Sequence, residues 1–196
     1  MGRKPYSEAV RNEKRQEIMD SAEALAREGG LSAVTMRTVG GRLGISSMTI
    51  YLYFGSRDDL LGEVAARGYG ALIGDLAGVP VGGKGKDRLK ALMASYLAWS
   101  RSNAQLFEVM HSGEASGHAL VHKAQSQVAE VFASAVKDIM GAGAKEDAVV
   151  AGVQCTLDLL VSVVFRTQGD DASHKAADGR VLAFVTGGLV GLSAAA

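Results

Sequence analysis

The chain has 196 residues, 47% of them apolar, and its 21 basic and 21 acidic side chains give a formal net charge of zero. A chain of this length buries a sizeable core and suits one small head joined to a larger body. Zero net charge excludes a protein that coats nucleic acid by bulk electrostatics, so any DNA binding must come from a local surface. A single cysteine, Cys155, excludes an internal disulfide framework and fits a reducing cytosol.

Helical periodicity dominates the chain. The N-terminus is polar and charged and does not read as a signal peptide. A first helix begins near Ser7, carries Ile18, Ala22, Leu25 and Ala26 on its apolar stripe, and stops at Gly29-Gly30. Arg3, Lys4, Arg11, Lys14 and Arg15 near the start, with Arg37, Arg42 and Arg57 further on, are candidates for a local basic surface. Acidic residues from Glu8 to Glu28 are interspersed, and Lys14, Arg15 and Arg42 taken singly read as solvating charges.

Thr35 to Leu61 is the most informative stretch. A short helix from Thr35 to Leu43, capped by the Thr35 hydroxyl, should turn at Gly44 into a second helix capped by Ser46. Gly44 suits the positive φ of a tight turn, and Gly40 and Gly41 have no bulk to hold the helices apart. Val39, Leu43, Ile45 and Ile50 supply a small core. The outer face of the second helix reads as polar, with Ser46, Ser47, Met48 and Thr49 at its start and Tyr51 and Tyr53 beyond. Short donors and a methyl-bearing Thr suit entry into a major groove. Ser56-Arg57-Asp58-Asp59 resembles a capping box for the next helix.

These residues resemble the TetR family of one-component transcriptional regulators. The shared pattern is Thr35, a small residue at Gly40, Gly44-Ile45-Ser46, Thr49-Ile50-Tyr51, Tyr53-Phe54, Ser56-Arg57 and Leu60-Leu61. The chain departs at Gly40, where Ala is usual, and at Met48, where a small residue is common. The resemblance implies that Arg37, Ser47, Met48 and Thr49 face bases, with Ser46 opening the reading helix. It implies phosphate contacts for Thr35, Tyr51, Tyr53 and Arg57. Arg37 is the expected guanine reader, because a guanidinium bonds O6 and N7 together.

A fourth helix from Arg57 to Leu76 should join the head (residues 1–56) to the body (57–196), ending before the breaker-rich loop Gly78 to Gly85. Further helices follow near Asp87–Ser100, Ala104–His111, His118–Met140, Glu146–Phe165 and His174–Leu192, giving an all-α protein of about nine helices. Gly141-Ala-Gly143 and Gly169-Asp-Asp171 separate the later ones. Tyr96 to Met110 resembles a body pattern in part of the same family, with Asn103 where proline is common.

Ala148 to Phe165 is the most apolar stretch; with Gln154 and Asp158 inside, it reads as a buried helix of a soluble protein rather than a membrane span. Val149, Val150, Val153, Leu157, Leu160, Val161 and Val164 leave little of it polar. Val181, Phe184, Val185, Leu189, Val190 and Leu192 repeat this on the final helix, where Gly187, Gly188 and Gly191 permit close approach. A second subunit is the expected cover, and a two-fold dimer would set two heads on successive major grooves.

The resemblance further implies a small-molecule pocket in the body that couples to the heads, with Met93, Tyr96, Trp99, Phe107, Met110, Gln154, Cys155 and Asp158 as its expected lining. Core packing is the commoner role for such Trp, Phe and Met residues. Asp158 in so apolar a helix needs a partner: a cationic ligand, Arg166 or Arg101, or water. The apolar neighbours of Cys155 argue for an inert buried thiol. Glu114, His118 and His122, four residues apart, could share one helical face, but surface placement is the commoner reading and no metal or other cofactor is expected. No enzyme constellation is present.

Together these features describe a cytoplasmic, homodimeric regulator, in keeping with the family habit a repressor, that binds a palindromic DNA operator and is released by a small-molecule effector. The alternative is a helical binding protein or enzyme whose head lacks specific DNA binding. Intact Thr35, Thr49, Tyr51, Tyr53 and Arg57 speak against it.

Overall fold

A computed structural model describes residues 8–80, 85–167 and 171–194. The expected contributions of Arg3 and Lys4, the middle of the Gly78–Gly85 loop and Gly169 lie outside the described residues, as does the side chain of Leu192. Among the described residues the chain is helical, with ten helices: α1 (Glu8–Ala33), α2 (Met36–Leu43), α3 (Ser47–Tyr51), α4 (Arg57–Ala77), α5 (Gly85–Ser102), α6 (Ala104–Met110), α7 (Gly113–Ser116), α8 (Ala119–Met140), α9 (Glu146–Arg166) and α10 (Asp171–Ala194). The element missed from sequence is α7, a single turn capped by Ser112, whose Oγ accepts from Ala115 N at 3.3 Å. So short a helix leaves no periodicity to read.

The chain folds into two compact units. One comprises residues up to Tyr69 together with Asn103–Lys123, and the other Gly70–Ser102 with Ala124 onward. This division crosses the expected boundary at residue 56: the start of α4 and the later α6–α7 segment pack with the head.

In the first unit α1 breaks at Gly29 and Gly30 (φ 64°), the glycine pair that was expected to stop it. Ile18, Met19, Ala22 and Ala26 of α1 are buried together with Val34, Met36, Val39, Ile50, Phe54, Leu60, Leu61 and Val64. α6 packs along α1 and supplies Leu106, Phe107, Val109 and Met110 to the unit's interior. Gly68 on α4 admits the Met110 side chain, whose Sδ would lie 2.7 Å from a Cβ at that position.

In the second unit α9 packs on α5 and α10. Gly152 makes room for this, since a Cβ there would stand 2.8 Å from Leu189 and 3.2 Å from Val136. Tyr96 meets Phe132 edge-on at 6.3 Å, and Arg101 of α5 grips Asp178 of α10 with two hydrogen bonds of 2.5 and 2.7 Å. α9 is long and apolar enough to cross a membrane by length and composition, with mean hydropathy 2.0, yet only 28% of its apolar window is buried. The expectation of a buried helix therefore holds for one face only.

Candidate nucleic-acid interface

The local sequence sets the α2–turn–α3 geometry directly. Thr35 caps α2: its Oγ1 accepts from Thr38 N at 3.0 Å while Thr38 Oγ1 accepts from Thr35 N at 2.9 Å, a reciprocal box. Gly44 closes the helix in the left-handed region (φ 66°, ψ 26°), which costs a residue without Cβ least. Ser46 then caps α3 through Thr49 N at 3.2 Å. At Gly40 a Cβ would stand 2.7 Å from the Ile45 carbonyl oxygen, so this residue does keep the helices close. Gly41 does not share that role: it is exposed, with nothing within 4 Å of a Cβ.

The outer face of α3 differs from the sequence expectation. Met48 is 72% exposed and Leu52, one turn on, is 68% exposed, with Tyr51 between them also outward. Ser47 and Thr49 are half-buried, and the Thr49 hydroxyl lies 3.0 Å from Ser46 Oγ. The face offered to solvent is thus largely apolar, not polar. Leu52 carried no signal in the sequence beyond its four-residue spacing from Met48, which a helix of five residues does not reveal.

Around this face the cations divide into engaged and free. Arg37 is exposed and makes no hydrogen bond or ion pair with the described residues. Arg42 holds Glu28 through two hydrogen bonds of 2.7 and 2.8 Å, and that contact keeps the Glu28 carboxyl below its ordinary range. Lys14 pairs with Glu17, and Arg15 pairs with Glu63 while its guanidinium lies 4.5 Å over the Phe54 ring. Tyr53 joins Glu8, Arg11, Asn12 and Arg15 in lining a shallow polar groove at the start of α1. The hydroxyls of Tyr51 and Tyr53 make no hydrogen bond to the described residues.

Arg57, for which the resemblance implied a phosphate contact, is engaged within the head. Its Nε donates to the Val34 carbonyl and one terminal nitrogen to the Leu31 carbonyl, both at 2.7 Å, and the other terminal nitrogen is 3.7 Å from Glu114. The side chain thereby ties the start of α4 to the turn entering α2. Beside it, Ser56 caps α4 through Asp59 N at 3.0 Å, and Asp59 accepts from Gly55 N at 3.1 Å.

Glu114, His118 and His122 do not share a helical face, because α7 ends at Ser116 and α8 begins at Ala119. His118 instead stands with Asp59 and Glu63. Its Nδ1 accepts from Leu120 N at 3.3 Å, so Nε2 carries the proton and faces Asp59 at 3.3 Å, and Arg15 neutralises Glu63. The three ligand-type groups are satisfied by hydrogen bonds and an ion pair.

The expected pocket residues divide between the two units. Met93 and Tyr96 are buried and Trp99 half-buried in the second unit, whereas Phe107 and Met110 belong to the first. Gln154, Cys155 and Asp158 lie on the exposed face of α9, where Gln154 Nε2 donates to Asp158 Oδ1 at 2.9 Å. That amide is the partner Asp158 needed, Arg101 being held by Asp178. The Cys155 thiol is exposed, contrary to the buried thiol expected. Apolar neighbours along a sequence do not fix which face is covered.

Residues 18–64 match the family described as bacterial regulatory proteins, tetR family. The chain is 29% identical over 143 residues to the HTH-type transcriptional repressor KstR of Rhodococcus jostii RHA1, covering 70% of this chain and 66% of that protein. It is 43% identical over 61 residues to KstR of Mycobacterium tuberculosis H37Rv, covering 31% of this chain and 27% of that protein. The aligned part thus spans less than two thirds of either curated relative. Among solved structures, BioQ of Mycobacterium smegmatis superposes with a TM-score of 0.68 at 18% identity, over 90% of this chain and 98% of that one. The TetR family regulator PfmR of Thermus thermophilus does so with a TM-score of 0.63 at 16% identity, over 86% and 96%. These structural likenesses concern the fold, while the matched segment is the one holding the helix-turn-helix. Residues 18–64 therefore carry a helix-turn-helix domain of the tetR family of bacterial regulatory proteins.

Proposed function

We propose that the protein is a dimeric transcriptional repressor that binds a palindromic operator and is released by a small-molecule effector acting through the second unit. The observation that carries the DNA-binding part is the capped α2–turn–α3 unit, which carries an exposed, unengaged Arg37 on α2 and the outward face of α3. Arg37, Ser47, Met48 and Thr49 are the base-facing set, and Thr35, Tyr51 and Tyr53 the phosphate contacts. A regulator of this kind acts on DNA in the cytoplasm.

Dimerisation is supported by the uncovered apolar faces of α9 and α10. Phe184 is 69% exposed, and Val150, Phe165 and Val190 are exposed with it. The same α9 face carries Gln154 and Asp158, a polar pair that suits a protein partner with hydrogen-bonding groups and would be costly in lipid. In α10, Gly187, Gly188 and Gly191 have open space where a Cβ would stand, which permits a second helix to approach closely. The effector would bias the pair of heads between a spacing that matches successive major grooves and one that does not, within the limit of its differential affinity for the two states.

The test is selection of bound sequences from a random DNA pool by the purified protein at near-physiological salt, with the mass of the complex measured in parallel. Recovery of an inverted repeat with half-sites about 34–36 Å apart, bound by a dimer or a pair of dimers, is the expected result. Recovery of no motif would overturn the reading and return attention to a binding or catalytic role for the body.

A further inference from the structure

Met48 and Leu52 present a problem that the rest of the head does not. Both are large, apolar and more than two-thirds exposed, on the element that faces a major groove in the proposed complex. Neither side chain donates or accepts a conventional hydrogen bond, so neither contributes to polar readout of base edges. The prominent apolar group displayed in a major groove is the C5-methyl of thymine. Nearby, the free Arg37 guanidinium and the unbonded Tyr51 and Tyr53 hydroxyls complement phosphate and base-edge acceptors, which favours a DNA groove over an apolar protein surface as the occupant.

We propose that Met48 and Leu52 read thymine methyl groups, so that part of the operator's sequence is specified by apolar contact. The proposal rests on the DNA-binding reading above. Residues four apart on a helix are separated by about 6 Å along its axis, and base pairs by about 3.4 Å. The two side chains therefore meet thymines one or two base steps apart in each half-site, on either strand. Arg37 and Ser47 are left to supply hydrogen-bond readout at neighbouring positions.

The experiment uses the full chain and its selected operator, with each thymine replaced in turn by deoxyuridine, a change that removes only the methyl group. Affinity of the wild-type protein is expected to fall about four-fold at each contacted thymine, the equivalent of roughly 0.8 kcal/mol for one buried methyl-sized group. Met48→Ala should abolish the uridine effect at one position and leave it at the other; Leu52→Ala should do the converse. Met48→Leu, which keeps an apolar side chain, should retain the effect. Unchanged melting temperatures would show that the variants remain folded, as expected for exposed positions. Specific operator binding without any methyl-dependent thymine, or with a methyl dependence that both Ala variants retain, overturns the inference while leaving the DNA-binding reading intact. Failure to select any operator overturns both.

Discussion

Arg37 is exposed on α2 without an internal partner among the described residues, whereas Arg42, Arg15 and Lys14 each hold an acid. A paired arginine has its charge partly compensated by the acid it holds, whereas the charge of Arg37 is left for an external anion or acceptor. Arg37→Ala is expected to weaken operator binding by about 1–3 kcal/mol and to relax preference at one base pair, read by competition against operators changed one position at a time. A uniform loss across all sequences would assign Arg37 to phosphate instead. The adjacent glycines give a second contrast. Gly41→Ala should stabilise the head by up to about 1 kcal/mol through helix propensity, because its Cβ position is open. Gly40→Ala must push back the Ile45 carbonyl and should gain less or lose outright, as thermal unfolding of the two variants would show. Thr35, Gly44 and Ser46 were legible in the sequence because caps act over three or four residues. Which side chains of α3 face outward was not, since five residues set no hydrophobic period.

At the scale of elements, Arg57 illustrates how a motif residue can serve the scaffold. Its hydrogen bonds to the Leu31 and Val34 carbonyls hold the α1–α2 junction against the start of α4. Arg57→Ala should therefore lower unfolding stability by about 1–3 kcal/mol, because two carbonyl acceptors lose a charged donor. It should leave the salt dependence of DNA binding by the folded fraction nearly unchanged; a flattened salt slope would restore the phosphate role. A second junction joins α4 to α6. There the half-buried His111 ring lies 4.1 Å from Phe107, its Nδ1 faces the Phe107 carbonyl at 3.0 Å, and its Nε2 faces the Tyr69 hydroxyl at 3.4 Å. Burial pushes the His111 imidazole below the ordinary histidine range, against the opposing pull of the Phe107 carbonyl. The unfolded chain, titrating near pH 6.5, then binds this proton more readily than the folded one. Stability from His111 is full above about pH 6.5 and falls as pH drops from there toward the folded value. Melting curves between neutral and mildly acidic pH should show this slope in the wild type and less of it in His111→Phe. The packing of α6 on α1 could not be read from sequence, because it joins segments far apart along the chain and no local pattern records it.

For the whole molecule, the apolar excess of α9 and α10 was legible, but its division between interior and surface was not, because a helix apolar on every side has no period that distinguishes them. Val185 is 5% exposed and belongs to the chain's own core, so a polar residue there tests folding rather than assembly. Phe184→Asp is the sharper change: it should yield folded monomers that lose operator binding, seen as a lower mass in solution scattering. Persistence of the dimer would move the interface elsewhere. The described methionines divide just as unevenly. Met19, Met36, Met93, Met110 and Met140 are buried, and Met48 alone among them stands in solvent. Within that set, oxidants therefore meet a single accessible thioether, and it lies on the face proposed to touch DNA. Conversion to the sulfoxide would replace a soft apolar group with a polar one, so mild peroxide should weaken operator binding without unfolding the protein, and methionine sulfoxide reductase should restore it.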